Sequence, residues 1–344
     1  MERWADRGVV LRLDDQWVWD SWVADDGELY HLFFLQAPRA LGDPAKRHVN
    51  AVVGHATSRD LVDWEYHGVC LRPADAGFDD LGIWTGSVLR APHDGRERWW
   101  MFYTAISTAG HHIFDQRVGA AVSDDLHTWE RVRDQPSLMV DGRWYTTLRH
   151  RVPPDLDPAG PDPATVSETW RDPLVVADPA GRGWHMLVTA RAAGAARNDD
   201  GVVAHARSSD LLTWEVGAPL CRPGAGFGQL EVLQSKRVEG RDVLVFTCHP
   251  QEMTPARRAA SGGCSTWSLP SPGPLGPWDV TRARPFTADP DLFAAPLVQC
   301  RDGGWAILGF RNLESRGLDG FAIHAPIPVT LDADGYLVAR GPGR

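Results

Sequence analysis

Short apolar runs recur along the chain, each six or seven residues long and each led in by a polar, turn-rich stretch. They are Leu29–Leu35 (LYHLFFL), Trp99–Thr104 (WWMFYT), Trp184–Thr189 (WHMLVT), Val243–Cys248 (VLVFTC) and Trp305–Phe310 (WAILGF). The lead-ins are DDGE, DGRE, PAGRG, EGR and RDGG, whose Gly, Asp and Pro residues signal hairpins. One step earlier lies a second strand-like run in each case: WDSWV, WTGSVL, RDPLVV, LEVLQS and APLVQC. No long 3.6-residue periodicity interrupts this pattern, so an all-β chain is expected.

A third feature closes the module. His55–Glu65 reads HATSRDLVDWE, Ala120–Glu130 reads AAVSDDLHTWE and His205–Glu215 reads HARSSDLLTWE. The shared core is Ser-x-Asp-Leu-x-x-Trp-Glu, a turn with a Trp pinned behind it. A strand, a turn, a strand and an outer hairpin make a propeller blade. The pattern predicts a five-bladed β-propeller, with residues 1–344 as a single domain and Pro153–Pro163 as an insertion before the third blade. The alternative, a β-sandwich, does not account for regular repeats. The chain ends soon after the fifth module, so no C-terminal β-sandwich is expected.

Composition narrows the function. The formal net charge is −10 and 43% of residues are hydrophobic. An acidic chain without basic stripes is not expected to grip nucleic acid or an anionic membrane. Sixteen Trp against five Tyr suit propeller cores and also the stacking of sugar rings. Cys70, Cys221, Cys248, Cys264 and Cys300 are scattered, which argues against a disulfide framework or a zinc cluster and for free buried thiols. No apolar signal segment is evident at the N-terminus, so a cytoplasmic location is expected.

The first strand of each propeller blade lines the central channel. Three of them carry a carboxylate: Trp19-Asp20-Ser21-Trp22, Trp170-Arg171-Asp172-Pro173 and Gln229-Leu230-Glu231-Val232. A lone Asp at a strand end is usually a cap or turn residue. Three on equivalent strands point to chemistry. Glycoside cleavage needs two carboxyl groups across the scissile bond, one as acid and one as nucleophile or base.

At these residues the sequence resembles the clan of glycoside hydrolase families 32 and 68, the invertases, fructanases and levansucrases. Trp19–Trp22 matches the Trp-Asp-Ser-Trp around the family 68 nucleophile. Tyr30–Phe33 and Gly54–Glu65 match family 32 segments. Trp84-Thr85-Gly86-Ser87 is similar to the Trp-Ser-Gly-Ser segment of both families, and Arg171-Asp172-Pro173 is their Arg-Asp-Pro motif. The resemblance implies catalytic roles for Asp20 as nucleophile, Asp172 as transition-state stabiliser and Glu231 as acid/base. It also implies a fructosyl pocket walled by Trp19, Trp22 and Trp84, with Thr85, Arg171, Gln229 and His249 among the substrate-binding residues.

The expected activity is β-fructofuranosidase or fructosyltransferase chemistry on a small fructo-oligosaccharide or sucrose-like fructoside. The chain departs from the families in places: the Asn-Asp-Pro-Asn-Gly of family 32 is absent, Val232-Leu233 replaces its Cys-Pro, and Gly228-Gln229-Leu230-Glu231-Val232 stands in place of the family 68 Asp-Glu-Ile-Glu-Arg, so that Gln229 replaces the second acid and the Arg is missing. The last two changes sit where the rest of the substrate would be read. The competing expectations are an inverting family 43-type pentosidase, such as an arabinofuranosidase or xylosidase, and a non-catalytic sugar-binding propeller. His111-His112 and His249 show no zinc-ligand spacing. Asp79-Asp80 and Asp199-Asp200 read as solvated loop residues. No cofactor and no metal are expected.

Overall fold

The computed structural model describes residues 8–108, 115–147, 169–311 and 320–340. The expected insertion Pro153–Pro163 and the pair His111-His112 lie outside those residues. After a short strand β1 (Val9–Leu11), the chain runs through four antiparallel sheets whose strand order follows the sequence. The first holds β2 (Gln16–Asp25), β3 (Tyr30–Pro38), β4 (Val52–Ser58) and β5 (Glu65–Leu71). The second holds β6 (Gly82–His93), β7 (Arg96–Ile106), β8 (Arg117–Ser123) and β9 (Glu130–Arg131). The third holds β10 (Trp170–Ala177), β11 (Trp184–Arg191), β12 (Gly201–Ser208) and β13 (Glu215–Gly217). The fourth holds β14 (Glu231–Val238), β15 (Arg241–Thr247), β16 (Thr266–Ser271) and β17 (Arg284–Pro285). β2 contacts β6, β6 contacts β10 and β10 contacts β14, so the first strands stand side by side. The fold is an all-β propeller.

The blade count departs from the expected five: the described residues form six four-stranded sheets. The extra sheet comes from the fifth module. Its first strand is broken at Ala294–Pro296 into β18 (Leu292–Phe293) and β19 (Leu297–Gln299). Its second is broken at Leu308–Gly309 into β20 (Trp305–Ile307) and β21 (Phe310–Arg311), and its third at Ala325–Pro326 into β22 (Ile323–His324) and β23 (Ile327–Leu331). The inner halves close with the N-terminal strand in the order β1-β22-β21-β18. The outer halves close with β24 (Leu337–Ala339) in the order β19-β20-β23-β24. Pro296 and Pro326 lack the N–H that a continuous ladder would use at those points.

The Ser-x-Asp-Leu turns are three copies of one device. In the third sheet, Ser208 Oγ accepts from the N–H groups of Asp210 and Leu211, and Asp210 Oδ1 accepts from those of Leu212 (2.8 Å) and Thr213 (2.7 Å). Ser58/Asp60 and Ser123/Asp125 repeat the pattern. These bonds hold Leu61, Leu126 and Leu211 at φ of 68°, 65° and 64°, a left-handed conformation unfavourable for leucine. The return is burial: all three leucines are at most 1% exposed. Trp100, Trp170 and Trp267 are fully buried, in line with most Trp serving the core, while Trp144 is exposed.

Asp210→Ala removes two charge-assisted acceptors from an otherwise exposed turn. It should destabilise the protein by about 1–2 kcal/mol, read as a lower urea midpoint at unchanged slope. An unchanged midpoint would show that leucine burial alone holds the turn.

Candidate active site

The site is made where the first strands break register. The pairing of β2 with β3 shifts between Trp19 and Ser21, that of β10 with β11 between Arg171 and Leu174, and that of β14 with β15 between Glu231 and Gln234. β6 shifts in the same way between Trp84 and Gly86. A bulge re-aims the side chain at the break. Asp20, Asp172 and Val232 sit there at φ of 27°, 57° and 49°, values that side-chain-bearing residues rarely adopt. Gly86 is required at its bulge, because a Cβ there would meet the Phe102 carbonyl oxygen at 2.0 Å.

The three carboxylates converge. Burial, and the neighbouring Asp172 and Glu231 carboxylates, push Asp20 up to about 8 against the pull of Arg47 and Arg171. Burial also raises Asp172, with Glu231 adding to the effect and Arg171 opposing it. Asp172 is 5% exposed and firmly held: its Oδ2 accepts from Thr189 Oγ1 (3.0 Å) and from the Val232 N–H (3.2 Å). Its own N–H donates to Thr104 Oγ1 (2.8 Å), whose hydroxyl donates to the Thr85 carbonyl (2.9 Å). Asp20 is different. Its Oδ1 is buried and makes no hydrogen bond within the protein.

Arg171 is the hub on the other side. Its Nη2 donates to both Gln229 Oε1 and Glu231 Oε1, and its Nε lies 3.6 Å from Asp172 Oδ2. The guanidinium therefore bonds the acid on β14 and sits beside the acid next to it in sequence.

Trp84 and Trp19 both lie against His48. Trp84 Nε1 donates to the His48 carbonyl at 2.7 Å. Trp19 meets the His48 ring edge-on at 6.4 Å, and the Arg47 guanidinium lies 5.6 Å from the Trp19 ring centroid. Burial and the two arginines lower His48 to about 3, so its ring is neutral. Trp22 goes elsewhere: it is buried and stacks on Phe33 at 6.0 Å in the first sheet's core. Thr85 contributes through its backbone carbonyl. His249 is half-buried, bonded to Gln251 Oε1 at 2.7 Å and packed 5.1 Å from the Phe293 ring.

Sequence reasoning missed several members. Arg47 and His48 come from a 3-10 turn, Pro44–Val49, with no repeat counterpart to flag it. Glu252 is bonded by the buried Arg191 at 2.6 Å and also takes a hydrogen bond from Gln229, which together lower it. Thr104, Thr189 and Thr247 were detectable. Each stands at or next to the end of the apolar second run of its module, and each hydroxyl ties a first strand, Thr247 to the Glu231 carbonyl at 3.3 Å. The acidic pairs read as solvated need correction. Asp79 is buried and receives Tyr103 Oη (2.8 Å) and Arg131 Nε (2.7 Å), and Asp200 is buried and receives Arg191 Nη1 (2.9 Å). Asp80 and Asp199 are turn acceptors for Thr108 and for the Gly226 N–H. All five cysteines are free thiols, with Cys221, Cys248 and Cys264 buried.

The model of the "Glycosyl hydrolases family 32 N-terminal domain" matches residues 22–264, more than half of the chain. A 6(G)-fructosyltransferase of Asparagus officinalis is 36% identical over 99 residues, 28% of this chain and 15% of that protein. A probable sucrose-6-phosphate hydrolase of Psychromonas ingrahamii is 30% identical over 186 residues, 54% of this chain and 27% of that protein. The chain thus spans under a third of the length of these curated relatives. Among solved structures, the inulosucrase of Halalkalicoccus jeotgali bound to kestose superposes with a TM-score of 0.71 at 21% identity, covering 98% of this chain and 91% of that one. Bacillus subtilis levansucrase gives 0.71 at 14%, covering 97% and 88%. At these identities the structures speak for the shared fold.

Asp20 carries a pH prediction. Its folded value, about 8, lies above the ordinary 3.8, so the fold prefers the protonated form. The stability this brings is fully present below 3.8 and is lost as pH rises through about 8. Asp20→Asn keeps the neutral form, so it should melt above the wild type at about pH 9, with the gap closing toward about pH 4. A gap constant across that range in thermal melts would show that Asp20 is ionised throughout.

Proposed function

The chain belongs to glycosyl hydrolase family 32, and from that premise we propose that it cleaves or transfers the β-fructofuranosyl unit of a small fructoside through a covalent intermediate on Asp20. The observation that carries this reading is the state of Asp20: a carboxylate turned by a bulge toward two other acids, with Oδ1 buried and bonded to nothing in the protein. An oxygen kept free of donors is the right atom to attack an anomeric carbon, because a donor would have to be stripped from it first.

The roles follow from the contacts. Asp20 Oδ1 attacks the anomeric carbon while Glu231 protonates the departing oxygen. Glu231, deprotonated by that step, then takes a proton from water or from a sugar hydroxyl as it attacks the fructosyl-enzyme. Asp172, fixed by Thr189 and the Val232 N–H, presents its remaining acceptor capacity to the furanose hydroxyls. Arg171 bonds Glu231. Sugar hydroxyls compete for that guanidinium, and once it turns to them Glu231 is released to receive the proton the acids retain. Three acids face two guanidinium groups, Arg47 and Arg171, which leaves one negative charge to be held as a proton near neutral pH. Trp84 and Trp19 wall the pocket. The relatives' names include both a hydrolase and a fructosyltransferase, and the acceptor in this chain is set outside the trio.

The test is a panel of sucrose, kestose, inulin- and levan-type oligomers and nitrophenyl arabinofuranoside, with released sugars followed chromatographically. Fructose or a fructosylated product is expected. Asp20→Ala should abolish it, and Glu231→Ala should slow it by about 10²–10⁴-fold, with both folds intact. Wild-type turnover in Asp20→Ala would sink the mechanism. Arabinose release would move the chemistry to the pentosidase type, and calorimetric sugar binding without any turnover would make the protein a binding propeller. Trp84→Ala should raise KM with a smaller effect on kcat; unchanged kinetics would leave Trp84 a core residue only.

A further inference from the structure

A second cluster of ionisable side chains lies away from the carboxylates. His31 on β3 and His55 on β4 are both buried, with His31 Nδ1 3.0 Å from His55 Nε2. His31 pairs across the sheet with Ala24, toward the β2–β3 turn and away from the bulge at Asp20. The exposed His127, from the Ser-x-Asp-Leu turn of the second sheet, closes over them, its ring centroid 4.6 Å from His55 and 5.7 Å from His31. One nitrogen from each of the three rings lies within 4.8 Å of the other two. His67 stands alongside, 4.8 Å from the His127 ring, with its Nε2 bonded to Thr57 Oγ1.

We propose that His31, His55 and His127 form a binding site for one divalent transition-metal ion of the imidazole-preferring class, such as Zn²⁺ or Ni²⁺, clipping the first sheet to the turn of the second. Three observations support it. First, the lone pairs are set up for it. Asp26 Oδ2 lies 3.2 Å from His31 Nε2, while Asp26 Oδ1 accepts from the N–H groups of Glu28 (2.7 Å) and Leu29 (2.6 Å), so the carboxylate stays an acceptor. His31 therefore carries its proton on Nε2 and turns a bare Nδ1 toward His55. A carboxylate behind a ligating imidazole is the usual support of a metal-bound histidine.

Second, the cluster is short of an electrophile. With His55 donating from Nε2 to His31, its Nδ1 is a lone pair, and that atom is buried with no hydrogen-bond partner. A metal ion bonds neutral imidazoles directly, and the Asp26 and Asp125 carboxylates nearby offset its charge. Third, the geometry is close. Nitrogens around a tetrahedral zinc stand about 3.3 Å apart, from Zn–N bonds of about 2.0–2.1 Å. His31 Nδ1 and His55 Nε2 need only a small widening, binding there shifts the His55 proton from Nε2 to the bare Nδ1, and His127 moves in on an exposed turn.

The molecule contains its own control. His185 and His205 occupy the same repeat positions in the third sheet, with Nδ1 and Nε2 2.8 Å apart and Asp178 3.4 Å from His185 Nε2. Among the described residues no third ligand joins that pair. A histidine pair alone is thus a structural hydrogen bond of the repeat, and His127 is what turns the first copy into a site.

Chelator-treated protein would be titrated with Zn²⁺ and Ni²⁺ by calorimetry, with metal content measured after desalting and melting recorded in each state. One equivalent per chain and a raised melting temperature are expected. His127→Ala should weaken binding at least about tenfold, as should Asp26→Asn, while its metal-free melting temperature stays that of the wild type. His185→Ala should bind metal like the wild type. No stoichiometric uptake by the wild type would overturn the proposal. So would uptake that survives His127→Ala but is lost on thiol alkylation, which would assign it to the free cysteines.

Discussion

The site depends on one backbone event repeated around the propeller: the first strand of each of the first four sheets breaks register where it reaches the channel. A regular strand alternates its side chains between the two faces of its sheet. It would send Asp20 and Asp172 into the neighbouring blades, where a buried carboxylate has no compensation. The bulge turns them instead toward the space between sheets, at the cost of left-handed backbone at both residues. Threonines at the ends of the second strands offset that cost. Thr104 and Thr189 bond the Asp172 N–H and carboxylate, so two sheets jointly hold the conformation. In the fifth module the same bend, at Ala294 with φ of 42°, is followed by Pro296, and there it divides the sheet outright.

Converging the acids creates an electrostatic problem that the sequence of the strands alone does not solve. Bringing Asp20 and Asp172 together with Glu231 out of water raises the free energy of the charged forms of the two aspartates. Arg171 comes from the strand that carries Asp172, so its charge arrives with one of the acids. Arg47 comes from the loop between β3 and β4 and reaches the site across Trp19. What remains uncompensated is stored as a proton. The proposed mechanism, which asks the site both to protonate a leaving group and to present a free carboxylate oxygen, needs this partial compensation. With full neutralisation by cations there would be no proton to give.

The fold was legible because propeller blades advertise themselves locally. Apolar runs gave the strands, and the Ser-x-Asp-Leu motif gave a turn whose side chains make the same four backbone contacts in each of three copies. The division of the fifth module was not legible, since Pro296 stands inside the apolar run APLVQC, which reads as one strand. In the site, Asp20, Asp172, Glu231 and Arg171 were found because equivalent strands carried unusual charges. Trp22 was misplaced because it shares a motif with Asp20, yet it lies beyond the bulge, where the alternation of side chains sends it onto Phe33. Arg47, His48 and Glu252 come from irregular segments between strands, and irregular segments carry no period to read. The His31–His55–His127 cluster was hidden for another reason: its members are spread over two sheets, and no spacing along the chain predicts which turn closes over which strand.

Gln229 shows how tightly charge is counted here. The resemblance to family 68 would place an acid at this position. In this chain the neighbouring Glu252 already brings a negative charge, balanced by the buried Arg191, which also holds Asp200. A carboxylate at 229 would add an anion between Glu231 and Glu252 with only Arg171 to share among them. The amide avoids this. Its oxygen accepts from Arg171 and its NH₂ donates to Glu252, so it links the catalytic hub to the Arg191 network without changing the charge. Substituting an acid by its amide thus keeps the hydrogen-bond pattern and spares Arg171 for the trio. It also replaces an acceptor-only side chain with one that can donate, at the edge of the site where the part of the substrate beyond the fructosyl unit would lie.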